Sequence, residues 1–305
     1  MGLLFGPAGI PLSTKKKTPE EGVRECARLG LDCMELEFVY GVRMSPEGAE
    51  RVKEAKEETG IRLTAHGPYY INLASQEEDK LEASRERVLD TARRGYQCGA
   101  ESITFHSAFI QKRSREEVLK IVAGELKAIL EILKKEKVKV AVRPELTGKP
   151  SQLGSLEELV ELGRLVKGVL PCVDFAHLYA REAGRYNSYQ DFCRVLDILV
   201  KGFGKKILKN MHIHISGIEY TEKGEKKHLE LEKSDFNWKD CLRALIDYEV
   251  EGFCICESPT LEKDALLLKE TYLKMLKRKK TYYGLLQFVV SSQTYHKQGL
   301  PPFQS

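Results

Sequence analysis

The strongest constraint on this chain is an alternation. Eight short apolar segments read as strands: Leu3–Ile10, Met34–Val39, Arg62–His66, Ser102–His106, Val138–Glu145, Pro171–His177, Asn210–Ser216 and Gly252–Glu257. Between and after them lie helix-periodic stretches, Glu20–Leu29, Gly48–Thr59, Lys80–Cys98, Arg115–Glu136, Leu156–Lys167, Ser188–Val200, Trp238–Tyr248 and Ala265–Leu276. Gly30, Gly60, Gly99 and Gly168 follow four of these closely, as helix stops do. The strands are nearly continuous in Val, Ile and Leu, a pattern that suits parallel strands buried on both faces. Eight strand-then-helix units without a linker predict an α/β fold, a (β/α)8 TIM barrel, in preference to an open flavodoxin-like sheet. A chain of 305 residues fits one such barrel over residues 1–280. Residues 281–305, with an apolar patch Leu285–Val290 and Pro301 and Pro302 near the end, read as a C-terminal extension: a partner-binding or domain-swapping tail, or a poorly ordered one.

Composition excludes some classes. No run of 18 apolar residues is present, so no membrane span is expected. Met1–Ile10 lacks the charged region of a signal peptide, so the chain reads as cytoplasmic. Cys26, Cys33, Cys98, Cys172, Cys193, Cys241, Cys254 and Cys256 are scattered with no CxxC pair, and are expected to be reduced thiols, mostly buried. The net charge of +4 is a weak pointer to an anionic partner.

The chemistry lies at strand ends. His66, His106, His177 and His212 end or lie within proposed strands, and His228 follows the seventh. Glu145, Asp174 and Glu257 stand at the ends of strands five, six and eight. A closed barrel gathers all C-terminal strand ends at one mouth. Imidazoles mixed with carboxylates suit zinc or manganese with positions left open, and so many exceed the needs of one ion. Each residue alone has a structural reading: a buried hydrogen-bonded histidine, a helix-capping aspartate, a partner for Arg143. Their coincidence at successive strand ends is what argues for metal, since every buried ionisable group needs its own partner.

The segments HGPYYINLAS (His66–Ser75), TFHSAF (Thr104–Phe109), RPELTGKPSQLGS (Arg143–Ser155), CVDFAHLYA (Cys172–Ala180), NMHIHISG (Asn210–Gly217) and ICESP (Ile255–Pro259) resemble, in order, the successive motifs of the endonuclease IV family, closest to its archaeal-type branch. The resemblance runs from about Leu3 to Leu276. It implies hydrolysis of DNA on the 5′ side of abasic sites, with Zn2+ (Mn2+ as the alternative) at two or three ions per chain. It further implies that His66, His106 and Glu145 hold one ion, that Glu145 bridges to a second completed by Asp174, His212 and Glu257, and that His177 and His228 hold a third. Glu145 would also be the catalytic carboxylate. Where the family has an aspartate two positions before the last histidine, this chain has Lys226; Glu225 is the nearest carboxylate able to replace it.

For DNA, the resemblance implies that Tyr69 enters the duplex at the lesion and that His214, where the family usually has asparagine, contacts phosphate or water. On strand geometry alone, ligand and structural readings of His214 both stay open. Lys15, Lys16 and Lys17 after the first strand, and Lys112 and Arg113 after the fourth, are candidate phosphate contacts. Glu35 and Glu37 share one strand face; the favoured reading points them outward to helix Lys or Arg residues, the other into the barrel. The expected partner is double-stranded DNA, acted on by a monomer at the nucleoid. The rival is a sugar isomerase or epimerase of the xylose-isomerase-like barrels, needing only Glu145, Asp174, His212 and Glu257 around one ion. A DNA-binding protein without activity is a third reading.

Overall fold

The computed structural model describes residues 2–295; residues 296–305, the end of the expected extension with Pro301 and Pro302, lie outside the described residues. Eight parallel strands run β1 (Leu3–Pro7), β2 (Cys33–Glu37), β3 (Arg62–His66), β4 (Ser102–Phe105), β5 (Ala141–Pro144), β6 (Cys172–Asp174), β7 (Met211–Ile215) and β8 (Gly252–Cys256). β1, β8, β7 and β6 form one continuous ladder, and β2, β3, β4 and β5 another. The bridge Ala8–Glu35 joins β1 to β2, and the bridge Glu145–Cys172 joins β5 to β6. The sheet is therefore closed, and the open flavodoxin-like alternative is excluded.

Closure depends on close approach at the β1–β2 seam. A Cβ on Gly6 would meet the Cys33 carbonyl oxygen at 1.8 Å. Only glycine allows the Asp32 amide to bond Phe5 O at 2.9 Å just beside it. Helices α1 (Pro19–Arg28), α2 (Pro46–Thr59), α3 (Glu78–Cys98), α4 (Arg115–Lys135), α5 (Leu156–Leu165), α6 (Tyr189–Phe203), α7 (Trp238–Asp247) and α8 (Glu262–Tyr295) surround the barrel. Ser114, Ser155 and Ser188 start α4, α5 and α6 with reciprocal capping boxes, satisfying amides that a helix start leaves open. The apolar faces of the helices and the strands share one core, including Val23, Val52, Leu89, Leu126, Leu162 and Leu199.

Several boundaries differ from the periodicity reading, among them these three. β5 begins at Ala141, three residues late, and β6 ends at Asp174, where a two-turn helix Phe175–Arg181 begins. Asp174 caps that helix, accepting from the His177 amide at 2.6 Å. His177 thus stands on a helix and not within a strand. Finally, α8 continues as one helix past residue 280 to Tyr295. All eight cysteines are free thiols, as expected. Among the described residues no helix is long and apolar enough to cross a membrane.

Candidate metal centre

The strand ends bring the acids together. Glu145 is one residue beyond β5, Asp174 ends β6, and Glu257 is one residue beyond β8. Glu145 is fully buried and lies at the centre: its carboxylate is 3.0 Å from His66 Nε2, 3.5 Å from His106 Nε2, 3.1 Å from His177 Nδ1 and 3.5 Å from His214 Nδ1. Burial alone would lift its pKa, but His106 and His214 outweigh burial and hold it well below the carboxylate range. His66 shows the converse. Burial works against its charge, yet Glu145 raises it to about 10. Burial lifts Asp174 well above its usual range, with the charges of Glu257 and Glu145 adding to it and His177 opposing.

Donor atoms of His66, His106 and Glu145 lie within 4.8 Å of one another, as do those of Glu145, Asp174, His214 and Glu257, and those of His177, His228 and Glu257. Glu145 and Glu257 each belong to two groups. Glu145 Oε1, Asp174 Oδ2, His214 Nδ1 and Glu257 Oε2 are buried with no hydrogen-bond partner among the described residues. Three of them draw together, with Glu145 Oε1 and Asp174 Oδ2 at 3.5 and 4.0 Å from His214 Nδ1, and such a cluster would be costly in a structural site. They fit divalent cations, which carboxylate and imidazole donors satisfy directly.

The third group has its own geometry. His177 Nδ1 is 3.0 Å from the Leu146 carbonyl and His228 Nδ1 is 3.1 Å from the Glu257 carbonyl. Both rings therefore place their protons on Nδ1 and turn Nε2 lone pairs toward each other. Glu225 completes the group, its carboxylate 3.5 Å from His177 Nε2 and 3.9 Å from His228 Nε2. Lys226 points elsewhere, pairing with Glu219. The cause is a β-bulge in the hairpin Gly217–Thr221/Gly224–Leu229, where Glu219 faces Lys227 but Tyr220 faces Glu225. The extra residue, Lys226, shifts the alternation so that Glu225 comes round to His228.

On β7 the structure brings His214, and not His212 as expected, level with the acids. His214 lies opposite Asp174 in the β6–β7 register and turns Nδ1 toward Glu257 at 3.4 Å. His212 is two residues deeper, roughly 6.6 Å along a strand, and lies opposite Cys172. It contacts Ser102 Oγ at 3.0 Å through Nδ1, away from Asp174 and Glu257. His214 is fully buried, so the expected DNA contact through it is also corrected. Glu35 corrects a further expectation. Its side chain points into the barrel, with one oxygen 2.9 Å from His214 Nε2, the other 2.9 Å from His212 Nε2, and Thr64 Oγ1 donating at 2.7 Å. Two imidazoles on one carboxylate drive its pKa down against the opposing effect of burial. Glu37 also faces inward, and burial raises it to about 8. A strand buried on both faces carries no polarity signal to show which side is the lumen, which is why Glu35 was not identifiable as a site residue.

Residues 23–278 match the family described as Xylose isomerase-like TIM barrel. The chain belongs to that family. An uncharacterized protein of Methanocaldococcus jannaschii is 42% identical over 88% of this chain and 97% of that one. An apurinic-apyrimidinic endonuclease of Caenorhabditis elegans is 28% identical over 57% of this chain and 45% of that protein. Among solved structures, a D-tagatose 3-epimerase-like protein superposes with a TM-score of 0.72 at 20% identity, covering 91% of this chain and 99% of that one. Endonuclease IV from Thermus thermophilus gives 0.69 at 21%, covering 89% and 99%. These two superpositions show the fold shared across the xylose isomerase-like barrels.

In this xylose isomerase-like barrel a cavity of about 340 Å³ opens over the centre, lined by His66, Tyr69, His106, Phe109, Lys149, Gln152, His177, Glu225, His228 and Glu257. Tyr69 is 50% exposed, with its ring 5.9 Å from His66 and 6.2 Å from Tyr40. Lys15, Lys16, Lys112 and Arg113 do not line this cavity. Arg113 donates to the Ala74 carbonyl at 2.7 Å, and Lys17 is tied to the Pro11 and Leu12 carbonyls. Lys149 and Gln152, which do line it, fall within the segment Arg143–Ser155 but are not among the candidate site residues read from the sequence.

Proposed function

We propose that this chain is a metal-dependent endonuclease that hydrolyses the phosphodiester on the 5′ side of abasic sites in DNA, leaving a free 3′-hydroxyl and a 5′-deoxyribose phosphate. The observation that supports it is the set of overlapping donor groups joined through Glu145 and Glu257. His66 and His106 would hold one cation with Glu145. Asp174, His214 and Glu257 would hold a second with Glu145 between the two, and His177, Glu225 and His228 a third. Bound divalent ions, zinc or manganese by donor type, would lower the pKa of water and offset charge on a phosphodiester. Glu145, fully buried at the centre of the cluster, would be the acceptor that orients the attacking water. Tyr69, half exposed at the rim, would fill the gap left by the missing base, where unstacking costs least. Lys15, Lys16, Lys112 and Arg113 stand outside the cavity and would meet phosphates further along the duplex. The similarity to a nematode abasic-site endonuclease points the same way.

A second reading draws on Glu145, Asp174, His214 and Glu257 by themselves. This four-donor set is sufficient for one ion in a sugar epimerase, and the epimerase-like structure shares the fold. Four further donors, His66, His106, His177 and His228, have no task in that reading. The deciding experiment is cleavage of an abasic-site duplex by the metal-loaded chain, beside an ion count. Cleavage with two or three ions, lost in Glu145→Gln, is expected; one ion per chain and no cleavage would discard the nuclease.

A further inference from the structure

The loop between Glu145 and α5 is held in an unusual manner. Six consecutive carbonyls, those of residues 147–152, all accept hydrogen bonds. Thr147 O and Lys149 O accept from Arg181 Nη1 at 3.1 and 2.8 Å, and Gln152 O accepts from Arg181 Nη2 at 3.1 Å. Pro150 O and Gln152 O accept from Arg115 at 2.8 and 3.0 Å. Gly148 O accepts from the Glu225 amide and Ser151 O from the Ile110 amide, both at 2.9 Å. Arg181 is 9% exposed and Glu158 braces both guanidiniums.

Two arginines gripping one backbone segment from behind fix it rigidly. Its carbonyl acceptors are already used, which leaves it donor-rich. The amides of Gly148, Lys149 and Ser151 make no hydrogen bond to another described residue. Gln152 is 6% exposed and lines the cavity, where the NH2 of its side-chain amide is the group able to donate to an anion. Lys149 is the only lysine or arginine among the residues lining that cavity. A loop whose backbone acceptors are spent, with free backbone donors and one ammonium group, selects an anion with several oxygens.

We propose that residues 148–152 form a phosphate anchor beside the metal centre, in which Lys149 and the Gln152 amide hold a phosphate of the bound strand next to the one being cut. Arg181 and Arg115 are positioning residues that set the loop and do not touch substrate. The assignment rests on the nuclease reading and supplies what the metal donors lack, a fixed register of the strand along the cavity. Binding that is the same before and after bond cleavage changes KM more than kcat.

The test uses the full-length metal-loaded chain and the nicked product duplex, which presents the same phosphates without being cleaved. Anisotropy titrations across a salt series for Lys149→Ala should give about fivefold weaker binding and a log–log salt slope shallower by roughly 1. Gln152→Leu should weaken binding with the slope kept. On the abasic duplex, Lys149→Ala should raise KM with kcat nearly unchanged. Lys134→Ala, exposed at the end of α4 on the opposite side of the barrel, should match the parent. A Lys149→Ala slope equal to the parent, or a Lys134→Ala slope shifted as far, overturns the anchor while parental cleavage leaves the nuclease standing. Absence of parental cleavage removes both.

Discussion

The Nε2 atoms of His177 and His228 stand 3.2 Å apart. Two nitrogens bound to one tetrahedral zinc at about 2.0–2.1 Å are roughly 3.3–3.4 Å apart, so the rings are already at ligand spacing. With each Nδ1 committed to a backbone carbonyl, two lone pairs face each other unless a cation or a proton lies between them. Glu225 supplies the adjoining charge. Glu225→Ala should therefore lower the count of tightly held ions by one per chain, measured by elemental analysis after gel filtration. Lys226→Ala should leave the count unchanged, because Lys226 is turned toward Glu219. Equal counts in the Glu225 variant and the parent would refute the assignment.

Glu35 makes a separate prediction for the paired site. Its carboxylate contacts His214 on the ring edge away from the centre, which favours a proton on Nε2 and leaves Nδ1 for a cation. Removing its charge while keeping its shape, as in Glu35→Gln, should weaken metal affinity about 10–100-fold. Competition against a chromogenic chelator reads this directly. Thr64 Oγ1 can turn to donate to the amide oxygen, so the fold should persist with a circular dichroism spectrum like the parent's. Undiminished affinity would reduce Glu35 to a core carboxylate.

Protons and metal compete in this pocket. In the metal-free chain Glu145 outweighs burial and lifts His66 from an ordinary 6.5 to about 10. That contact stabilises the metal-free fold fully below pH about 6.5, and the contribution is lost as pH rises through about 10. At pH 7 His66 holds a proton that a cation must displace. Metal uptake at pH 7 should release protons, and apparent affinity should rise with pH. Calorimetry in two buffers of different ionisation enthalpy would detect the release; identical heats in both would refute it.

Much of this is legible in the sequence, and the gaps have physical causes. His66, Glu145, Asp174 and Glu257 fall at strand ends, and closure of the barrel converts that position directly into proximity. The segment Met211–Ile215 is less decisive. Its two histidines lie on the same strand face, and only the register against β6 shows that His214 is level with Asp174 while His212 is a layer below. Glu225 depends on a bulge, which displaces the alternation by one residue and has no composition of its own. Glu35 depends on which face of a doubly buried strand is the lumen. The anchor loop depends on Arg181 and Arg115, far from Lys149 in sequence and joined to it only through backbone carbonyls.

Gly148 ties the two halves of the site together and can be tested without touching a donor atom. Its φ is not in the left-handed region, so alanine is compatible with the backbone. The obstacle is space: a Cβ there would meet Glu225 Cβ at 2.5 Å, Glu225 Oε2 at 2.9 Å and His177 Cδ2 at 3.0 Å. The neighbour best able to give way is Glu225, on a hairpin, since His177 is held by its helix and by the Leu146 carbonyl. Gly148→Ala should therefore displace Glu225 and loosen the third ion by about tenfold or more, while His66, His106, Glu145, Asp174, His214 and Glu257 keep their two. The melting temperature should fall by only a few degrees, an overpacking cost of roughly 1–3 kcal/mol. Elemental analysis and a chelator titration would separate the outcomes. Three ions retained at parental affinity would mean that Glu225 is not clamped between Gly148 and the two histidines, and that the third site is held by other groups.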